Sequence, residues 1–99
     1  MVANFSETNK YGVDLESLYH ASIEALRLCE FKIENADIES GVIKAKTKLT
    51  WWSWTEKITI EIKKDGTVYA HSKCSYPLQV VAWGKNKKNV KAFFNNFKV

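Results

Sequence analysis

The sequence predicts an α+β fold: a two-layer domain with an antiparallel sheet of four to five strands and two helices on one face, in the order β-α-β-β-β-β-α. Three observations carry this. First, lysine and apolar residues alternate between Val42 and Cys74. Lys44, Lys46 and Lys48 interleave with Ile43, Ala45, Thr47 and Leu49, and Lys57, Thr59, Glu61 and Lys63 with Ile58, Ile60 and Ile62. Residues two apart on a strand share a face, so this pattern gives one apolar side and one wet, positive side. Second, two stretches show helical spacing, Leu15-Leu18-Tyr19-Ser22-Ile23-Leu26-Cys29 and Val90-Phe93-Phe94-Phe97. Third, Lys64-Asp65-Gly66 is a strong turn between two alternating runs, as a hairpin needs.

The elements follow in order. Phe5 to Val13 reads as a first short strand, with Asn9, Tyr11 and Val13 on one side. Asp14 then suits a helix N-cap, and Glu16 places negative charge in the first turn, where it favours the dipole. The helix is expected to end near Glu30. Phe31, Ile33 and Ala36 begin the second strand, and Glu39-Ser40-Gly41 turns into the third. On the last strand Val68, Ala70, Ser72 and Cys74 face inward, with Tyr69, His71 and Lys73 facing outward. That inward set is small, so a helix should pack closely over it. Tyr76-Pro77 ends the sheet, because proline cannot donate to a ladder. Leu78 to Gly84 reads as an apolar connection into the final helix.

Ninety-nine residues suit a single domain, 1–99, with one core that needs neither disulfides nor metal. No apolar run approaches the ~20 residues that span a bilayer. Met1 to Lys10 lacks the apolar segment of a signal peptide, and Cys29 and Cys74 stand in no CxxC spacing, so a reducing cytoplasm is the expected setting. Charge is divided unevenly. Residues 1–43 carry three basic residues against eight acids, a net of −5; residues 44–99 carry twelve lysines against three acids, a net of +9. Such polarity steers encounters with charged partners or between copies of the chain. A solvated face kept for solubility explains the same pattern.

Three places could serve as a contact surface. The outer sheet face carries Lys44, Lys46, Lys48, Lys57, Lys63, Tyr69, His71 and Lys73 by parity, with only Glu61 opposing. Charges for phosphates and a ring for a base suit single-stranded nucleic acid, although only Tyr69 is clearly placed to stack. The Trp51-Trp52-Ser53-Trp54 segment is the second place. If the strand begins at Trp52, then Trp52 and Trp54 point inward as core or helix-clamping residues. If the segment is a hairpin tip, exposed indoles beside lysines suit a protein contact or a membrane interface. The third is Trp83-Gly84-Lys85-Asn86-Lys87-Lys88-Asn89. There Gly84 allows a sharp entry and Asn86 can cap the last helix. Lys85, Lys87 and Lys88 would then surround its free N–H groups, an arrangement that holds anions or is simply a solvated turn.

On that tail the chain resembles small uncharacterised bacterial proteins that share a Trp-Gly-Lys-Asn-x-x-Asn tail before a final amphipathic helix. They also carry an aromatic Ser-Trp segment ahead of a strand, as in Ser53-Trp54-Thr55-Glu56-Lys57-Ile58. The likeness covers roughly residues 8–97 and brings no known activity. The element order is also similar to helix-grip and TBP-like domains, which mostly bind rather than catalyse; that is fold analogy alone.

Catalysis is not expected. Cys74 and His71, three apart on a strand, point to opposite faces, and His20 lies near the first helix's apolar stripe as a partly buried spectator. The two cysteines lack neighbours for a metal site, and no cofactor is expected. The expectation is a non-catalytic binding or interaction domain. Its partner is a protein, a second copy joined through the acidic first helix and basic sheet, or a nucleic acid or other anionic surface.

Overall fold

A computed structural model describes residues 4–47, 56–74 and 79–99, the side chains of 79–83 excepted. Its elements are β1 (Asn4–Lys10), α1 (Leu15–Leu28), β2 (Lys32–Asp37), β3 (Val42–Lys46), β4 (Glu56–Ile62), β5 (Thr67–Cys74) and α2 (Gln79–Asn96). The β-α-β-β-β-β-α order is the expected one. The five strands form one antiparallel sheet in the order β1-β5-β4-β3-β2.

Strands β2 to β5 form a meander, while β1 pairs with β5 at the far edge. The chain must therefore cross the whole sheet between β1 and β2, and α1 makes that crossing. Its 14 residues reach about 21 Å at 1.5 Å per residue, close to the ~19 Å between the two edge strands of a five-stranded sheet. Helix α1 packs on β2 and β4, α2 packs on β1 and β5, and the two helices touch. Both lie on the apolar side of the sheet.

Local signals explain the ends of α1. Asp14 caps it, accepting from the Ser17 N–H at 3.2 Å and the Ser17 hydroxyl at 2.7 Å. At the other end Phe31 N–H reaches the Leu26 carbonyl and Glu30 N–H the Arg27 carbonyl. This is the paired-bond C-terminal cap that requires a left-handed residue, and Glu30 supplies it at φ 62°. The turn into β5 is a three-residue loop closed by Gly66 at φ 93°, whose carbonyl also binds the Tyr11 N–H. A Cβ on Gly66 would lie 2.1 Å from the Tyr11 carbonyl oxygen, so only glycine fits.

The core lies between the layers. Ile43, Ala45, Ile58, Ile60, Ile62, Val68 and Ala70 from the sheet meet Leu18, Ala25 and Leu26 of α1 and Val90 and Phe93 of α2. Phe97, just past α2, joins them and stacks at a tilt on Tyr11, 4.7 Å between centroids. Small residues on β5 do admit a helix close by, and that helix is α2.

Two expectations need correction. β1 is shorter than Phe5 to Val13, ending at Lys10, because Tyr11 turns to bind Gly66 and Val13 is exposed. More consequentially, α2 starts at Gln79, so the stretch to Gly84 is helix and not a connection.

Candidate functional site

The outer sheet face is assembled by register. Lys32 on β2 stands opposite Lys46 on β3, Lys46 opposite Lys57 on β4, and Lys57 opposite Lys73 on β5. Four lysines thus form one rank across four adjacent strands. At the ~4.8 Å spacing of neighbouring strands the rank is about 14 Å long. Lys32, Lys57 and Lys73 are exposed and Lys46 is partly so. One acid answers this rank among the described residues, Glu34, whose carboxylate lies 3.4 Å from the Lys46 ammonium.

The next rank carries His71, Thr59 and Lys44, and the one after it Tyr69 and Glu61. Tyr69 and His71 stand with their rings nearly parallel, 11° apart, and their centroids 6.2 Å apart. Partial burial, together with the nearby Lys73 charge, pushes the His71 imidazole below its ordinary value. It is therefore neutral at neutral pH and adds a ring to the face without adding charge. Cys74 is buried on the other face, so the two side chains open on opposite sides of the sheet. Lys48, Trp51, Trp52 and Trp54 lie outside the described residues.

The tail takes a different place from the expected one. Gly84, Lys85, Asn86, Lys87 and Lys88 are inside α2, one to three turns from its start, so they surround no free helix N-terminus. Trp83 is likewise within the helix. Asn86 caps nothing: it is fully buried, and its side-chain oxygen accepts the Ser72 hydroxyl at 2.7 Å. Asn89, one turn on, donates its amide to the Ser72 hydroxyl and to the Glu56 carboxylate, both at 3.2 Å. The two asparagines of the tail thus fasten α2 to β4 and β5 through a buried polar cluster. Their i, i+3 spacing was visible in the chain; their partners Ser72 and Glu56 were not, being 14 and 33 residues away.

His20 is exposed, 3.9 Å from the Glu16 carboxylate across one helical turn, and is not the partly buried group expected. Cys29 is only half buried, and its sulfur takes a weak bond from the Asn96 amide at 3.5 Å. No protein-family model matches the chain, and a search of curated proteins finds no match either.

Proposed function

We propose that this chain is a non-catalytic binding domain whose contact surface is the outer sheet face and whose partner is negatively charged. The observation that supports this is the lysine rank Lys32-Lys46-Lys57-Lys73. Like charges directly opposite each other on a sheet are destabilising. Three such juxtapositions in one rank are a local cost, offset among the described residues only at Lys46, by Glu34. Departures of that kind concentrate where a protein contacts something else. An anionic partner would reverse the sign of the effect, turning mutual repulsion into attraction.

Single-stranded nucleic acid is the partner this face suits best. Tyr69 and the uncharged His71 stand beside the rank, and rings next to lysines offer stacking along with charge pairing. No helix of the described residues is long and apolar enough to cross a membrane; an anionic vesicle is a second surface that the lysine rank could meet by charge.

Fluorescence anisotropy with a labelled single-stranded oligonucleotide tests the proposal. Binding should weaken steeply with added salt, with a slope near −0.7 per phosphate contacted. Replacing Lys57 and Lys73 by alanine should weaken it and flatten that slope. Saturable binding to anionic vesicles but not to the oligonucleotide would reassign the partner; no binding to either at low salt would end the proposal.

A further inference from the structure

We propose a second, independent site: the cleft between the end of α1, the start of β4 and the middle of α2 binds a small zwitterion, its ammonium on Glu56 and its acid group on Lys85 and Lys88. The cleft holds about 290 Å³, and its polar lining is Glu30, Thr47, Glu56, Lys85, Lys88 and Asn89. That is near the lower end for small-molecule sites and suits a ligand the size of an amino acid.

The argument starts from Glu56. It is 5% exposed, faces the helices as the first residue of β4, and borders the cleft. Its backbone is pinned to Thr47, whose hydroxyl accepts the Glu56 N–H at 3.0 Å and whose own N–H reaches the Glu56 carbonyl. The carboxylate accepts the Asn89 amide, a neutral donor, and takes part in no ion pair among the described residues. A buried carboxylate is normally matched by a cation. Glu56 borders the cleft, and a matching cation held there would lie beside it.

The cleft's own charges select the ligand. Lys85 and Lys88 sit one turn apart on α2 and border the same space as Glu56. A bare cation satisfies Glu56 but is repelled by the lysines, and a bare anion meets the opposite conflict. A molecule carrying an ammonium and a carboxylate answers both. Glu30 adds a second carboxylate to the walls, and the remaining wall residues are uncharged: burial pushes the Cys29 thiol up, so it remains a thiol, and Phe31 is apolar.

The test is an NMR titration of the ¹⁵N-labelled protein with the common free L-amino acids at millimolar concentration, with ethylamine and acetate as single-charge controls. At least one amino acid should shift the Glu56, Lys88 and Asn89 amides saturably, and neither control should do so comparably. Lys88→Ala, at an exposed position that leaves the fold intact, should weaken that binding about tenfold, or about 1.4 kcal/mol. Glu56→Gln should abolish the preference for the amine. The proposal fails if no amino acid gives a saturable shift, if the controls bind as well, or if Lys88→Ala binds like the parent chain.

Discussion

Lys46 on β3 stands directly opposite Lys57 on β4, and Lys57 in turn stands opposite Lys73 on β5. The central lysine therefore has a like charge on both sides. Lys57→Thr should raise stability by about 0.5 kcal/mol, within the 0.2–1 kcal/mol range of cross-strand pairs. Urea denaturation at low salt would measure it. The gain should shrink as salt screens the charges, and the parent chain itself should become more stable between low and moderate salt. Unchanged stability in both comparisons would mean that the rank carries no repulsion.

The Ser72 hydroxyl donates to Asn86 and accepts from Asn89 at the centre of the buried cluster. Ser72→Ala should cost roughly 1–3 kcal/mol, because it removes a partner from the fully buried Asn86 and the partly buried Asn89. A chemical-denaturation midpoint close to that of the parent would show that the cluster relaxes at no cost.

Gly84 occupies the interior of α2, and a Cβ added there meets nothing within 4 Å among the described residues. Gly84→Ala should therefore stabilise the protein by up to about 1 kcal/mol through helix propensity. A lower melting temperature would show that this glycine is needed for something other than the helix.

Glu30 holds a left-handed conformation at φ 62° in the cap of α1. That conformation costs a residue with a side chain roughly 1–2 kcal/mol. Glu30→Gly relieves it but loosens the unfolded chain, so the expected net gain is up to about 1 kcal/mol. Thermal unfolding of the variant would decide it.

Glu7 on β1 accepts the Lys91 ammonium at 2.6 Å and the Asn9 amide at 2.8 Å. The bond to Lys91 leads in holding its carboxyl below the ordinary 4.5. A depressed folded value means that the stability is present above about 4.5 and is lost as pH falls through the lower folded value. Lys91→Ala should thus be less stable than the parent at neutral pH, by less than about 1 kcal/mol for so exposed a pair. The difference should close under acid conditions, as paired denaturation curves at several pH values would show.

Period-two alternation from Val42 to Cys74 and the two apolar stripes were enough to specify three strands, two helices and the sorting of lysine from isoleucine, within a sheet expected to hold four to five strands. These are local properties: a pleat alternates and a helix repeats every 3.6 residues whatever the partners. Asp14, Gly41 and Gly66 likewise announced their cap and turns. The start of α2 was hidden, because Pro77 and Gly84 both resemble chain breaks. A helix-interior glycine costs only about 1 kcal/mol, which packing through Val90 and Phe93 outweighs.

Along the strands from Val42 to Cys74 the chain alone thus determined which residues face the core and which face outward, because side-chain direction there follows from backbone geometry one residue at a time. Only the tertiary structure decided that Lys32, Lys46, Lys57 and Lys73 share one rank, since register depends on the pairing of separate strands. It alone also turned Asn86 and Asn89 from apparent loop residues into a clasp on Ser72 and Glu56, for the hydrogen bonds that bury an amide come from strands far along the sequence.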